Sequence, residues 1–233
     1  MIRPLLAAAL SIVAAAAGAQ PPAAAPAPAP APAPATLEEQ VLAEINKART
    51  DPPAYAATLR EYRGHFEGNV VHLPGRDVGL RTREGVAAVD EAIAFLAGQA
   101  PLSPLRSAPE LTQAARDVTA AQQLAGGTGH SGTDGSDAKA RIKKNKGSGF
   151  MAEVLAYGAT DATAVVRQLI VDDGVPTRPN RKILFDKRYF RGGVACGSHP
   201  VARSVCVVDL SSFVGLAPAP KQAPNPPVII DIR

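Results

Sequence analysis

The sequence is poor in aromatic side chains, with six phenylalanines, four tyrosines and no tryptophan among 233 residues. Because single-stranded nucleic acids bind largely by stacking on aromatic rings, this scarcity argues against that ligand class and against sugars. The longest apolar stretch, residues 5–17, has thirteen residues, whereas a membrane-spanning helix needs about twenty. The mature chain is therefore not expected to contain a transmembrane segment.

Two catalytic signatures are also missing from the sequence. No Gly-x-Ser-x-Gly element is present, so an α/β-hydrolase nucleophile turn is not indicated. The glycine-rich stretch 129–136 lacks the lysine and the preceding strand of a phosphate-binding loop. A net charge of only +4 does not predict a polybasic protein, and nucleic acid is not an expected partner outside the cytoplasm.

The composition that remains is 46% apolar and 20% charged, which is typical of a globular domain. The first 19 residues combine a basic start, the apolar stretch and small residues at Ala17 and Ala19, which predicts a signal peptide cleaved after Ala19. Proline-rich flanks predict an extended linker over residues 20–36 and a disordered tail over residues 217–233. Residues 37–216 have the length of one domain. We therefore expect one secreted or periplasmic domain.

Hydrophobic periodicity places several helices in this domain. Thr36 and Glu39 form a capping box before a helix that should end before Asp51. Further helices are predicted from about Glu84, from an N-cap at Ser107, and after Ser136 or Asp137. A last one is predicted over residues 161–173, and residues 61–82 show no sustained period, so they predict an insertion or irregular loop.

Strands are predicted over residues 150–157, 194–196 and 204–210, the last two as a hairpin. Residues 205–208 are all apolar, which indicates that both faces of the sheet are covered by helices. The predicted fold is α+β, a three-layer α/β/α sandwich around a central, mainly antiparallel sheet. Cys196 and Cys206 lie on the two arms of the hairpin and favour a disulfide in an exported chain, with free thiols or a cysteine nucleophile as the alternative.

Two acidic features point to a site. Glu153 is the single charged residue in an apolar strand, where a lone carboxylate needs a partner. A histidine or an arginine could be that partner, and His130 lies in the 129–136 loop, whose small residues allow a close approach. Asp172 and Asp173 lie at a helix C-terminus, where the macrodipole disfavours negative charge. Arg178 and Arg181 could compensate the two negative charges, or one aspartate could cap the following turn. Alternatively, both aspartates could belong to a functional site.

These residues also carry a family resemblance. Seven segments resemble the bacterial branch of the CAP superfamily, which groups cysteine-rich secretory proteins, antigen 5 and pathogenesis-related proteins. They are GHSGTDGS (129–136), RI (141–142), AEVLAYG (152–158), LIVDDGVP (169–176), RKILFD (181–186), GVACGSH (193–199) and CVVDL (206–210). The resemblance implies the α/β/α sandwich and a central cavity lined in many members by two histidines and two acids. His130 matches the loop histidine of the family, and Glu153 matches the acid of its Gly-Glu-Asn element.

The sequence departs from the family pattern at two places. Ala152 and Val154 flank Glu153 in place of glycine and asparagine, and Asn180 stands where bacterial relatives usually have a histidine. With one matching histidine, the site is a poor one for zinc; His199, in the hairpin turn, is expected at the surface. We predict no metal, no cofactor and no catalytic residue, and a ligand-binding cleft formed by His130, Glu153, Asp172, Asp173 and Asn180.

The leading interpretation is a binding module for a small or lipidic ligand or an envelope partner. One alternative is a hydrolase or metal-assisted enzyme that uses His130 and Glu153. Another is a structural domain without cleft chemistry. Basic residues that recur over 141–146 and 178–191 are expected to form a solvated face, or else a surface attracted to anionic lipid head groups. The oligomeric state is not predicted.

Overall fold

The computed structural model describes residues 35–215. The predicted signal peptide, almost all of the predicted linker and the predicted tail lie outside the described residues. Within residues 35–215 no helix combines the length and the apolar character needed to cross a membrane. The helices, in chain order, are α1 (Leu37–Thr50), α2 (Pro52–Arg63), α3 (Val86–Gly98), α4 (Pro109–Ala125), α5 (Ala138–Lys144), α6 (Ala162–Val171) and α7 (Pro179–Leu184).

The strands form two sheets and are β1 (Phe66–Glu67), β2 (Val70–Val71), β3 (Leu80–Arg81), β4 (Arg106–Ser107), β5 (Gly147–Tyr157), β6 (Arg191–His199) and β7 (Arg203–Val214). The main sheet has the order β4-β6-β7-β5, and β1, β2 and β3 form a small separate sheet. In the main sheet β5, β7 and β6 are antiparallel, and the short β4 is parallel to β6. The prediction of a mainly antiparallel sheet is confirmed, with longer strands than expected.

Side chains on β7 alternate between two helical layers, which confirms the three-layer sandwich. Cys206 and Val208 belong to the larger core with α1, α3 and α6. Val205 and Val207 pack on the other face against Ala115 and Val118 of α4. Consecutive apolar residues in the strand are thus explained, because successive side chains point to opposite faces and both are buried.

The approach of α4 to the sheet depends on a glycine in β6. A Cβ atom added at Gly193 would overlap the backbone of Leu111 and Thr112 in α4. The strand and the helix backbone are therefore in direct contact at this point, which only glycine permits. This contact fixes how deeply α4 sits over the centre of the sheet.

The helix boundaries follow most of the predicted signals. Thr36 and Glu39 form the complete capping box of α1, and Asp137 caps α5. The prediction of Ser107 as the N-cap of α4 is wrong: Ser107 lies in β4, and Ala108 is the N-cap without a side-chain hydrogen bond. Ser107 pairs with β6 instead, so the chain leaves the sheet directly into the helix.

The region after α1 is more ordered than the sequence indicated. α1 ends before Asp51 as predicted, but Asp51 then caps α2 and the two prolines occupy its first turn. The segment expected to be an insertion or irregular loop, residues 61–82, contains the end of α2 and the small sheet β1-β2-β3. Strands of two residues are too short to leave a periodic pattern in the sequence, so the sequence did not predict this sheet.

The two cysteines form the predicted disulfide. Cys196 on β6 and Cys206 on β7 are directly opposite in the antiparallel register, and the bond joins them with their Cα atoms 4.1 Å apart. The bond ties together the two central strands of the sheet.

At the open edge of β5, a side chain takes the place of a neighbouring strand. The amide oxygen of Gln168 on α6 accepts the N–H of Tyr157 at 2.8 Å, and its amide nitrogen donates to the carbonyl of Tyr157 at 3.1 Å. Both backbone groups of Tyr157 that face away from β7 are therefore satisfied within the domain.

Candidate functional site

The lone carboxylate of β5 has two partners. Oε1 of Glu153 lies 2.8 Å from Nδ1 of His130, and Oε2 accepts a hydrogen bond from Arg141 at 2.7 Å. The side chain of Glu153 is fully buried and that of Arg141 is almost so. A buried carboxylate is tolerable when it is paired and hydrogen-bonded on both oxygens, and Glu153 meets that condition.

Arg141 also holds the loop that carries His130. Its Nη1 donates to the carbonyl of His130 at 2.8 Å and to the carbonyl of Ser136. One guanidinium on α5 therefore joins the two ends of the loop to the carboxylate on β5. The prediction that Arg141 belongs to a solvated basic face is wrong, because this ion pair and these carbonyls keep it inside the domain.

His130 presents one side of its ring to solvent. The side chain is 56% exposed although Nδ1 is held by Glu153, and no described residue makes a hydrogen bond to Nε2. The preceding residue is fixed as well: the N–H of Gly129 donates to the hydroxyl of Tyr157 at 2.9 Å, and its carbonyl accepts from Gln122 at 2.6 Å. The imidazole is thus an oriented, accessible group on a well-anchored loop.

A second buried acid, which the sequence analysis missed, lies beside Glu153. Asp209 on β7 is directly opposite Glu153 in the β5-β7 register. It is fully buried, and neither of its carboxyl oxygens has a hydrogen-bond partner among the described residues. Burial, and then the neighbouring Glu153 carboxylate, raise the pKa of Asp209 well above its usual value. Like Glu153, Asp209 is a lone acid on a covered strand, between Val208 and Leu210, so the sequence carried a signal for it too.

Asp172 and Asp173 are stabilised by different backbone groups. Asp172, the left-handed C-cap residue of α6, accepts the backbone N–H of Asn180 at 2.9 Å and its side-chain amide at 2.8 Å. Asp173 accepts the N–H groups of Arg83 and Glu84 at 2.7 and 2.8 Å. The first carboxylate therefore fixes the start of α7, and the second fixes the approach to α3.

The two arginines downstream compensate the C-terminal end of α6 and also form ion pairs. Both donate hydrogen bonds to backbone carbonyls at that helix end, as the sequence allowed. Arg178 contacts Glu84 at 2.6 Å and Glu91 at 2.7 Å, and Arg181 contacts Glu91 at 2.9 Å. The hydrogen bond from Arg178 lowers the pKa of Glu84 to about 2. Both arginine side chains are buried, so their prediction as part of a solvated basic face is also wrong. They join α7 to the start of α3 through carboxylates that remain partly exposed.

A cavity of about 780 Å³ lies beside the open edge of β5, between α6 and the small sheet. Its wall includes Asp172, Asp173 and Asn180. Apolar side chains and arginines form much of the remaining wall, among them Val71, Leu73, Leu80, Leu155, Val171, Arg76, Arg81, Arg167 and Arg203. Arg167 stacks on the ring of Tyr62, with the guanidinium carbon 4.2 Å from the ring centroid.

The five residues predicted to form one cleft fall into two groups in the structure. Asp172, Asp173 and Asn180 line the cavity, whereas His130 and Glu153 are not among its lining residues. Tyr157 connects the two groups, because it lines the cavity and its hydroxyl binds the N–H next to His130.

The prediction that His199 lies at the surface is wrong. It is the last residue of β6 and only 3% exposed. Its Nε2 bonds to the carbonyl of Gly127 at 2.9 Å, and its Nδ1 accepts the N–H groups of Val201 and Ala202 at 3.2 and 3.0 Å. His199 therefore secures both the hairpin turn and the chain just before the His130 loop. Within residues 35–215 no cluster of three or more His, Cys, Asp or Glu side chains is arranged to hold a metal ion.

Comparison with known proteins gives one extended match. The model of the family described as the cysteine-rich secretory protein family, CAP, matches residues 42–210. No curated protein matches the chain. Among solved structures, an outer surface protein of Borrelia burgdorferi is similar at 18% identity with a TM-score of 0.40, over 47% of this chain and 78% of that one. A cysteine-rich secretory protein of Staphylococcus aureus is similar at 14% identity with a TM-score of 0.33, over 54% of this chain and 37% of that one.

Proposed function

The chain belongs to the cysteine-rich secretory protein (CAP) family, and from that premise we propose that it is an exported binding module whose ligand occupies the cavity beside β5. The volume of about 780 Å³ is in the usual range for small-molecule sites. The ligand class we propose is a small amphiphile with an apolar body and one anionic group. Membership of the family does not define a ligand, so the proposal rests on the lining of the cavity.

The observation that carries the proposal is the unequal pairing of charges in the cavity wall. The acids Asp172 and Asp173 are already engaged by backbone and amide donors, and Asp161 caps α6. In contrast, the guanidinium groups of the four lining arginines make no ion pair or hydrogen bond with any described residue. The wall therefore has four arginines against three aspartates that already accept hydrogen bonds, and this excess of cationic donors favours a carboxylate or phosphate.

The apolar part of the wall supports an apolar ligand body. Val71, Leu73 and Leu80 come from the small sheet and its turns, and Leu155 and Val171 come from β5 and α6. Leu80 is 39% exposed, and Leu73 and Leu155 are partly exposed, whereas Val71 and Val171 are already buried. Burial of the exposed parts of the three leucines by a ligand would add to the affinity through the hydrophobic effect.

The test uses dodecanoate as the probe and dodecanol as its uncharged counterpart, measured by calorimetry and by thermal unfolding. We expect dodecanoate to bind and to raise Tm. Dodecanol should bind at least tenfold more weakly, because it has no carboxylate to form charged hydrogen bonds with a guanidinium group, which contribute about 1.4 kcal/mol. Arg167→Gln should lower the affinity for dodecanoate by about tenfold. Arg60→Gln removes an exposed arginine of α2 outside the cavity and should have no effect. Equal binding of the two probes, or equal loss in both variants, would refute the proposal.

A second function is favoured by a specific observation: the ring of His130 is oriented through Nδ1 by Glu153 and remains accessible. This is the arrangement of a general base with an orienting carboxylate. A hydrolase of this kind should cleave p-nitrophenyl acetate, and His130→Gln should abolish that activity without unfolding the domain. If the ester is not cleaved above the rate of the variant, the pair has a structural role in holding the loop.

Export is supported by the disulfide and by the family to which the chain belongs. The proposed location is secreted or periplasmic, with the signal peptide removed after Ala19. N-terminal sequencing of the protein recovered from outside the cytoplasm should begin at Gln20. A mature protein that still begins at Met1 would contradict the proposal.

A further inference from the structure

Half of the phenylalanines in the chain are exposed, and they lie at one end of the main sheet. Phe150, Phe190 and Phe213 are 51%, 45% and 59% exposed. They occupy the start of β5, the residue before β6 and the end of β7, which are neighbours in the register. Surface apolar residues are normal when scattered, but three large rings at one place indicate an interaction surface.

Direct contacts join the segments that carry these rings. The guanidinium carbon of Arg188 lies 4.1 Å from the ring centroid of Phe150. The hydroxyl of Ser212 donates to the carbonyl of Arg188 at 2.7 Å and accepts the N–H of Phe150 at 3.2 Å. The N–H of Phe190 donates to the carbonyl of Ser211 at 3.2 Å. Residues 146–150, 186–191 and 211–215 therefore form one continuous surface, which we call the basic aromatic end.

The charge of this surface is strongly one-sided. The three segments contain four basic residues, Lys146, Lys187, Arg188 and Arg191, and a single acid, Asp186. That acid is already paired with Arg188. Lys146 and Lys187 are exposed, and the carbonyl of Lys146 binds the N–H of Gly215, which keeps it beside the end of β7. A partner for this end must therefore be anionic as well as apolar.

We propose that the basic aromatic end docks on the surface of an anionic lipid bilayer. Phenylalanine rings partition into the boundary between head groups and acyl chains, and basic side chains beside them bind anionic head groups. This surface is separate from the cavity of the proposed function, since none of its residues lines that cavity. The domain would rest on the membrane by one end of its sheet and would not insert into it.

The test is co-sedimentation of the mature chain, from Gln20 onward, with vesicles of phosphatidylcholine, with and without phosphatidylglycerol, at low and physiological salt. Binding is expected with phosphatidylglycerol only, and it should weaken as salt rises. The double variant F150S/F213S should lose binding by at least about tenfold, since both rings leave the interface. The double variant K187Q/R191Q should bind the anionic vesicles with an affinity lowered about fivefold for each charge removed, because each basic residue contributes ~1 kcal/mol at an anionic surface.

The matched control is L124S/V201S, which removes two exposed apolar side chains at the opposite end of the β6-β7 hairpin. It should bind vesicles like the unaltered protein, and all variants should have unchanged melting curves. Equal binding to both vesicle types, equal loss in the control, or binding retained by F150S/F213S would overturn the proposal. If the protein binds neither vesicle type, but is a dimer that becomes a monomer in the F150S/F213S variant, the basic aromatic end contacts a second copy of the chain instead of a membrane.

Discussion

Replacing Asp209 by asparagine tests the most unusual group in the structure. Asp209 is fully buried opposite Glu153, and its carboxyl oxygens have no hydrogen-bond partner among the described residues. Burial and the Glu153 carboxylate both disfavour its charged form, so the folded protein holds a proton there that the unfolded chain releases. Asparagine has nearly the same shape, cannot ionise, and can donate from its amide to Glu153.

The magnitude follows from proton linkage. The folded-state pKa of Asp209 is raised above its ordinary value of 3.8, so folding takes up a proton when the pH lies between those two values. The stability of the unaltered protein therefore falls with rising pH in that interval, by up to ~1.4 kcal/mol per pH unit for one proton. Asp209→Asn lacks this contribution, so its stability relative to the unaltered protein should rise by the same amount.

Urea unfolding at pH 4.5, 5.5 and 6.5 measures the difference in stability between the two proteins, which should grow as the pH rises, by at most about 1.4 kcal/mol per pH unit. Asp77→Asn is the control, because it removes one carboxylate from an exposed position in the turn before β3. A difference that stays constant with pH, or that shrinks as the pH rises, would show that Asp209 is ionised in the folded protein.

Three further changes probe other contacts. Gly193→Ala should destabilise the domain by at least about 3 kcal/mol in urea unfolding, because the new methyl group meets the backbone of α4. The control is Gly98→Ala, at a position with open space at the end of α3, which should be neutral or stabilising. Similar changes in the free energy of unfolding for the two variants would be inconsistent with the contact between Gly193 and α4. Arg141→Ala should lower the free energy of unfolding by about 3 to 5 kcal/mol, since it leaves a buried carboxylate with one partner fewer, and a loss below 1 kcal/mol would contradict this. Reduction of the disulfide between Cys196 and Cys206 should lower the free energy of unfolding by about 2 to 3 kcal/mol. Titration of two free thiols in the unreduced, denatured protein would disprove the bond.

Much of the fold could be predicted because local signals and burial agree. The capping box at Thr36 joins residues three positions apart. The apolar stripes of the helices and the apolar run 205–208 of β7 pack on distant residues, but their spacing alone shows which faces are buried. The parts that were missed depend on distant contacts. Ser107 resembles an N-cap, but pairing with β6 takes it into the sheet, and the short strands β1, β2 and β3 pair across turns that carry no periodicity.

The candidate site shows the same division. The need of Glu153 for a partner follows from one charged residue in an apolar strand, and the contact with His130 was anticipated on that ground. The burial of Arg141 could not be derived in this way, because basic residues near one another in sequence usually describe a solvated face. The cavity beyond β5 is formed by segments about 100 residues apart, which the sequence pattern does not bring together.

The amide of Gln168 has a consequence for how copies of this domain meet at high concentration. An open strand edge is a template on which a strand from another molecule can continue the sheet, and this is a common route to aggregation. Because Gln168 already occupies both outward backbone groups of Tyr157, an incoming strand would have to displace it before pairing there. One side chain on a helix thus obstructs intermolecular strand pairing at this end of β5.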